Sequence, residues 1–425
     1  MLGSADVSAA DPSQATAKAV EAVYRIECAK LVAALAKIVG DVGIAEELAQ
    51  DALVIALEQW PVQGIPQHPA SWLMATAKHR AIDLLRRRDR YQDKLATMGR
   101  QLRQVEDADW DAALDDPVGD DLLRLVFTVC HPGLPAEGRV ALTLRAVGGL
   151  TTAEIARALL AKETTIGQRI VRTKRTLTDK RIALELPPAS QLTERLASVL
   201  EVVYLIFNEG YSATSGGDWT RPDLCAEALR LGRVLAHLLP DRPEVHGLSA
   251  LMELQASRMP ARSGPGGAPV LLLDQDRTRW DHQLIRRGLA SLERAERLGG
   301  ALHAYTLQAG IAACHARART AADTDWERIA NLYQVLAYVS PSPVVDLNHA
   351  VAVGMAKGPE HGLSIVDRLA AGGALARYPQ LPAVRGDLLA RLGRAAEARA
   401  EFETAAALTR NERERDVFLR RAAEL

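Results

Sequence analysis

Apolar residues recur at helical spacing along most of the chain, and turn-forming residues separate one apolar stripe from the next. The first stripe ends at Gly40, which fits a helix C-cap, and a second stripe begins after Asp41. The segment 61–69 contains three prolines and one glycine and predicts a loop. A further helix is predicted over 71–88. The first hundred residues therefore predict a group of helices.

The helical pattern continues to the end of the chain. Pro187 and Pro188 precede a long predicted helix, and almost everything after it has helical spacing. Near the end, small residues and one aromatic residue follow the spacing of tetratricopeptide (TPR) hairpins: Gly386, Gly393, Ala398, Phe402 and Ala405. An ordinary antiparallel helix pair is the alternative. The predicted fold class is all-α.

Composition supports this class and limits the location of the protein. Hydrophobic residues are 48% of the 425 residues and aromatic residues only 4%, so the cores must consist mainly of Leu, Ala, Val and Ile. No apolar run approaches the roughly 20 residues that span a bilayer, and the N-terminus lacks the features of a signal peptide. The four cysteines form no CxxC pair. We expect a cytoplasmic protein without a membrane segment or a metal site.

A net charge of −1 conceals strong segregation of charge. The segment 68–103 has nine basic and three acidic residues, and 162–181 has seven basic and two acidic residues. Between them, 104–121 has eight acidic residues and no basic one. Two basic segments joined by an acidic connector are a pattern found in nucleic-acid-binding proteins, although a basic run by itself is usually a solvated helix face.

The second basic segment follows a helix-turn-helix pattern. Thr151 and Glu154 form a capping box, which predicts the start of a short helix, and a second helix is predicted over 166–177. Its apolar side contrasts with a polar outer side of Thr165, Gln168, Arg169, Arg172 and Arg175. Such a face can enter the major groove, where Arg and Gln contact base edges, while Lys174 or Arg175 can hold phosphates.

The first basic segment has a different pattern. His79, Asp83 and Arg86 lie on one exposed side of the predicted 71–88 helix, and Trp72 lies near its start. A basic helix beside an aromatic residue suits backbone contact and recognition of an unstacked base.

Nothing in the sequence indicates an enzyme or a bound cofactor. The histidines form no HExxH pair, and the Gly-rich segment 263–267 lacks the GxxxxGK[ST] pattern of a phosphate loop. We expect neither catalytic residues nor a cofactor.

Together these segments resemble a bacterial RNA polymerase sigma factor of the extracytoplasmic-function (ECF) class. Residues 45–53 look like the helix of region 2 that docks on the β′ clamp helices of core polymerase, and 140–181 looks like region 4. By this resemblance the residues that bind core polymerase are Glu47, Gln50 and Asp51. Those at the −10 element are Trp72, Lys78, His79, Asp83, Arg86 and Arg87. Those at the −35 element are Thr165, Gln168, Arg169, Arg172, Lys174 and Arg175.

The resemblance also implies the domains and the partners. Region 2 is expected over 15–103, an acidic linker over 104–120, region 4 over 121–186, and a TPR-like extension over 187–425. Segments 207–212, 223–228 and 274–277 with Trp280 look like the extension of one sigma-factor subgroup, in which it is thought to regulate activity. The implied partners are core RNA polymerase, at the β′ clamp helices and the β flap, and promoter DNA. An unidentified protein partner is expected for 190–425.

Two alternatives remain open at this point. A one-component regulator would combine the helix-turn-helix with a TPR sensor and bind DNA without joining polymerase. A TPR scaffold would bind mainly other proteins. The 45–53 helix and the first basic segment favour the sigma factor, because neither alternative needs them.

Overall fold

The computed structural model of the chain describes residues 12–98, 118–159, 161–212, 220–264 and 269–425. Within these ranges every regular element is a helix, and the β-bridge between Ser263 and Pro269 is isolated. The all-α prediction is therefore confirmed. The predicted acidic linker lies outside the described residues up to position 117, and its last residues belong to the first turn of the next helix.

Seven helices form the first part of the described chain: α1 (Pro12–Val39), α2 (Val42–Gln63), α3 (Pro69–Met98), α4 (Val118–Val129), α5 (Ala136–Ala146), α6 (Thr152–Ala158) and α7 (Glu163–Asp179). Eleven more follow: α8 (Ala189–Tyr211), α9 (Pro222–Leu238), α10 (Pro243–Ala256), α11 (His282–Arg297), α12 (Ala304–Arg317), α13 (Trp326–Val339), α14 (Pro343–Lys357), α15 (Pro359–Ala371), α16 (Gln380–Arg391), α17 (Ala395–Leu408) and α18 (Glu412–Ala423). The chain divides into two compact units, residues 1–202 and 203–425, and α8 crosses the boundary. The domain boundaries given above stay predictions.

Local capping determines where α1 ends and α2 begins. Gly40 closes α1 with φ +69, as the sequence predicts, because glycine tolerates this left-handed conformation. The Asp41 carboxylate then accepts a hydrogen bond of 2.9 Å from the Ile44 N–H. The predicted loop at 61–69 is wrong at its start, because α2 continues through Pro61 to Gln63.

The helices of the first unit share a core of apolar residues. Leu31, Leu35, Trp60 and Leu73 are almost completely inaccessible to solvent and join α1, α2 and α3. Helix α3 is longer than the predicted 71–88 helix, because it begins at Pro69 and runs to Met98. Helix α1 also packs on α4, so this unit contains all of α1 to α7.

The second unit is a series of antiparallel helices. Helix α14 packs on α15, α16 on α17, and α17 on α18. A Cβ atom on Gly386 would lie 3.2 Å from both the Phe402 ring and the Ala398 carbonyl, and Gly393 makes the intervening turn with φ +75. These are the small-residue and aromatic contacts that the sequence predicts for the last TPR-like hairpin. No helix among the described residues is long and apolar enough to cross a membrane.

Candidate nucleic-acid interface

Helix α6 begins with the predicted capping box. The Glu154 N–H donates to the Thr151 hydroxyl at 3.1 Å, and the Thr151 N–H donates to the Glu154 carboxylate at 2.8 Å. Burial raises the pKa of Glu154, but the two hydrogen bonds from Thr151 and the charge of Arg25 outweigh it and hold this pKa below its usual value. The carboxylate is therefore charged and fixes the start of the helix.

Helix α7 has one buried side and one exposed side, as expected for the second helix of a helix-turn-helix. Its buried residues are Ile166, Ile170, Thr173 and Leu177, and the helix packs on α5 and α6. The approach to α5 is close, because a Cβ atom on Gly138 would lie 2.3 Å from the Thr173 hydroxyl oxygen. This packing turns the opposite side of α7 outward.

The six predicted −35 residues do not all lie on that outward side. Gln168, Arg172 and Arg175 are exposed, and Thr165 is half-buried at the edge of the face. Arg169 instead forms an ion pair of 2.6 Å with Glu137 of α5. Lys174 forms an ion pair with Glu46 of α2, so it faces the first three helices. Gln168, Arg172 and Arg175 therefore form the centre of the candidate reading face.

Sequence reasoning missed one residue of this face. Val171 is 65% exposed and lies on α7 among Gln168, Arg172 and Arg175. The signal was a β-branched apolar residue on the polar side of an amphipathic helix. An exposed valine on a reading helix suits contact with the methyl group of thymine.

The predicted −10 residues follow the exposed side of α3. His79, Asp83, Arg86 and Arg87 are exposed, whereas Lys78 is half-buried. Trp72 is also half-buried, and its ring packs edge-on against that of Trp60 with centroids 5.4 Å apart. Trp72 therefore contributes to the core while part of its ring stays accessible beside the basic face.

The predicted core-binding residues lie on α2. Glu47 is exposed, and the exposed carboxylate of Asp51 is 3.5 Å from the Arg80 guanidinium of α3. Gln50 donates a hydrogen bond to Glu46. Two exposed apolar side chains continue this face of α2, namely Val54 at 51% and Leu57 at 40% exposure, and sequence reasoning did not single them out.

Glu46 connects α2 to the helix-turn-helix. Its side chain is only 5% exposed and accepts a hydrogen bond of 2.8 Å from Arg145 Nε as well as the ion pair with Lys174. Further polar contacts join the same two groups of helices: Arg25 with Glu154, Lys37 with Asp121 at 3.6 Å, and Thr178 with Asp41 at 3.3 Å. We call this set of contacts the closed arrangement of the first unit.

The described residues contain no group of three His, Cys, Asp or Glu side chains placed to hold a metal ion. The interface is thus one of exposed basic, amide and apolar side chains on α3 and α7, with an acidic and apolar face on α2. Exposed basic and amide side chains on a helix can contact the phosphates and base edges of nucleic acid.

Three segments of the chain match known protein families. Residues 26–91 match sigma-70 region 2, residues 124–177 match sigma-70 region 4, and residues 195–296 match a family of unknown function (DUF6596). A Rhizobium meliloti (strain 1021) protein described as uncharacterized is 44% identical over 383 residues, which cover 89% of each chain.

Two mycobacterial relatives are described as ECF sigma factors. The probable ECF RNA polymerase sigma factor SigI of Mycobacterium tuberculosis is 29% identical over 178 residues, 40% of this chain and 58% of that protein. The ECF RNA polymerase sigma factor SigK of Mycobacterium ulcerans (strain Agy99) is 28% identical over 152 residues, 35% of this chain and 77% of that protein. The sigma-70 matches coincide with the helices that carry the exposed residues described above.

Proposed function

The chain belongs to the sigma-70 family, as an ECF sigma factor with a C-terminal extension, and from this membership we propose that it directs promoter-specific initiation by docking α2 on the β′ clamp helices. Proteins of this family bind core RNA polymerase and promoter DNA. The β flap is the second proposed polymerase contact, made by the region 4 helices. The residues that make the polymerase and promoter contacts are likewise proposed.

One observation carries the proposal: a capped helix-turn-helix with an exposed basic face occurs in the same unit as a helix with an exposed acidic and apolar face. The basic face of α7 presents Gln168 and Arg172, which suit bidentate contacts to base edges in the −35 element. The face of α2 presents Glu47 and Asp51 beside Val54, which suits a protein partner with basic and apolar side chains.

Helix α3 is proposed to contact the −10 element. His79 and Arg86 are exposed on one side of this helix, and the accessible part of Trp72 lies on the turns before them. An exposed histidine can donate and accept hydrogen bonds to an unstacked base, and the arginines can hold the phosphate backbone. Polymerase itself performs the chemistry in this proposal.

The extension is proposed to regulate the helix-turn-helix through α8. Arg139 of α5 is buried and donates to the Ser198 hydroxyl at 2.6 Å and to Glu201 at 3.0 Å. The Ser198 hydroxyl donates to the Cys130 carbonyl at 2.6 Å, and Arg195 donates to the Phe127 carbonyl at 2.9 Å. The first half of α8 is thereby fixed to α4 and α5, and the same helix continues into the second unit. A protein partner that moves the extension can therefore act on the −35 reader.

Run-off transcription with purified core polymerase tests the proposal. Templates are promoters selected by binding, and the full chain is compared with residues 1–202, which keep the buried Ser198 contacts of α8. We expect specific transcripts only when the protein is added. A difference in transcript yield between the two chains shows whether the extension activates or inhibits transcription. DNA binding without core association or transcripts would instead support a one-component regulator.

A further inference from the structure

The ion pair of Arg169 with Glu137 joins the edge of the candidate reading face to the first turn of α5. Arg169 Nη2 lies 2.6 Å from a carboxylate oxygen of Glu137. The Arg169 side chain is 32% exposed and that of Glu137 is 72% exposed. Both groups are therefore open to a macromolecule that approaches this side of α7.

Arg169 lies beside the exposed residues of α7. It follows Thr165 by four residues and precedes Arg172 by three, and residues at these spacings are neighbours on the surface of an α-helix. Arg172 is exposed at the centre of the candidate reading face, and Thr165 is half-buried at its edge. A nucleic acid that contacts Arg172 therefore comes within reach of the Arg169 guanidinium.

The packing of α5 on α7 holds the backbone of this pair in place. Gly138 follows Glu137, and a Cβ atom on Gly138 would overlap the Thr173 hydroxyl oxygen, so the two helices touch at this point. The same hydroxyl donates to the Arg169 carbonyl at 2.7 Å. Thr173 is itself buried. Glu137 therefore lies on a helix whose distance from α7 is fixed by close contact.

An exposed carboxylate beside α7 opposes general binding to DNA. It repels phosphates, and it neutralises the charge that Arg169 would otherwise contribute to sequence-independent affinity. Exposed ion pairs also add little to the stability of a fold, because water screens them. Glu137 therefore changes what Arg169 can bind more than it changes the stability of the first unit.

The pair leaves Arg169 with donors for a neutral acceptor. A guanidinium has five N–H donors in one rigid plane, and Nη2 makes the contact with Glu137. The remaining donors can form the two parallel hydrogen bonds that arginine makes to O6 and N7 of guanine. Because the pair has no net charge, the edge of a base suits it better than a phosphate does.

We propose that Glu137 is a positioning residue that determines specificity: it holds the Arg169 guanidinium for bidentate contact with a guanine of the −35 element and weakens its attraction to phosphates. The inference rests on the proposed function, because it requires that α7 enter the major groove. It goes beyond that function in assigning a base to one side chain and a role in specificity to a residue outside the reading helix.

Fluorescence anisotropy with the full chain tests the inference, on duplexes selected by binding and on copies with each base pair replaced in turn. The guanine whose replacement weakens binding of the native chain but not of Arg169→Gln marks the contact. Replacing this guanine by 7-deazaguanine, which lacks the N7 acceptor, should weaken native binding about fivefold. In Glu137→Ala we expect this loss to shrink to about twofold or less. The slope of log affinity against log salt should steepen by about 0.9, the value for one more phosphate contact.

Asp179→Ala is the matched control, because it also removes a carboxylate that is paired with an arginine of α7. Arg175 Nε lies 3.6 Å from a carboxylate oxygen of Asp179, and both side chains are mainly exposed. This variant should bind every duplex more tightly but keep the full loss with 7-deazaguanine. Glu137→Gln keeps an oxygen acceptor for Arg169, so it should keep more of that loss than Glu137→Ala does.

Arg169→Lys keeps the test decisive if Glu137→Ala fails to fold, because it leaves Glu137 in place. Lysine keeps the charge but loses the planar fork, so this variant should lose the discrimination and keep its affinity for unrelated DNA. Discrimination that survives in Arg169→Lys or in Glu137→Ala, or that falls equally at every base pair, would overturn this inference alone. A native chain that binds the selected duplexes no better than unrelated DNA would reject the proposed −35 contact and this inference with it.

Discussion

Glu46→Gln is expected to weaken the closed arrangement of the first unit. The substitution keeps the size of the side chain and one oxygen acceptor but removes the negative charge between Arg145 and Lys174. Those two cations then face a neutral amide at a position where little water can reach them, because the Glu46 side chain is only 5% exposed.

The magnitude follows from burial and from the number of partners. Removing one member of a fully buried ion pair costs about 3–5 kcal/mol, because the remaining charge is left uncompensated. Arg145 and Lys174 each keep 18% of their side-chain exposure, so water can screen part of the charge that is left. We therefore expect a loss of about 2–3 kcal/mol in the free energy of unfolding of the first unit, a factor of about 30 to 150 in the equilibrium constant.

Urea unfolding followed by tryptophan fluorescence measures this loss, since Trp60 and Trp72 both lie in the first unit. Glu27→Gln is the matched control. Glu27 forms a partly exposed ion pair of 3.1 Å with Lys30, three residues later on α1, and such pairs contribute about 0.5 kcal/mol or less. A second readout is binding to −35 duplex DNA, which should strengthen in Glu46→Gln because Lys174 is released towards the phosphates.

Equal losses of stability in the two variants would refute this reasoning, since the buried carboxylate would then contribute no more than an exposed one. A double-mutant cycle of Glu46→Gln with Lys174→Met gives the coupling between the two side chains directly. A coupling free energy near zero would show that the ion pair of Glu46 with Lys174 does not stabilise the closed arrangement.

Four further predictions concern the reading face, the cap of α6 and the second unit. Arg172→Ala should cost about 1–3 kcal/mol of discrimination among −35 sequences in anisotropy titrations, whereas equal loss on all DNA would assign Arg172 to phosphates. Replacing thymine by uracil in the −35 duplex should weaken binding of the native chain but not of Val171→Ala, because uracil lacks the methyl group. Thr151→Ala should lower stability by about 1 kcal/mol near neutral pH. The pKa of Glu154 is lowered in the folded protein, so the charged carboxylate stabilises the fold above its ordinary pKa, and this stabilisation is lost as the pH falls through the lower, folded value. Below neutral pH, the free energy of unfolding should therefore depend less on pH in Thr151→Ala than in the native chain, as measured by unfolding at several pH values. Burial lowers the pKa of His315 to about 3, so the fold keeps its full stability above the ordinary value of 6.5 and loses stability as the pH drops from 6.5 towards 3. His315→Gln should reduce this dependence of the melting temperature on pH.

The features that the sequence predicted correctly are local ones. The capping box of Thr151 and Glu154 and the left-handed Gly40 depend on neighbours within four residues, so they can be read without tertiary structure. The buried side of α7 follows from its 3.6-residue period in the same way. The loop predicted from Pro61 begins three residues too early, because proline disfavours a helix but does not by itself fix where the helix ends.

The roles of individual cations could not be predicted from local pattern. Lys174 and Glu46 are 128 residues apart, and Arg277 meets the carbonyl of His315 across 38 residues. Helical periodicity places Lys174 on the flank of α7 but does not say what packs there. The exposure of Arg172 and the pairing of Arg169 with Glu137 likewise depend on how α5 meets α7.

Under the proposed function, the closed arrangement is too compact for α3 and α7 to contact both promoter elements at once. The −10 and −35 elements are about 25 base pairs apart, which is about 85 Å along B-form DNA. A chain of contacts in the structure connects the two faces. Trp72 of α3 packs on Trp60 of α2, and Trp60 lies 14 residues along α2 from Glu46. Glu46 contacts Lys174, which lies six residues from Gln168 on α7. At 1.5 Å per helical residue, allowing about 10 Å for each side-chain contact and including the 15 residues from Trp72 to Arg87 on α3, the −10 and −35 faces are no more than about 75 Å apart. If α3 and α7 contact the two promoter elements as we propose, the contacts of Glu46 break before both elements are bound. Promoter binding and the stability of the free protein would then place opposite demands on this buried carboxylate.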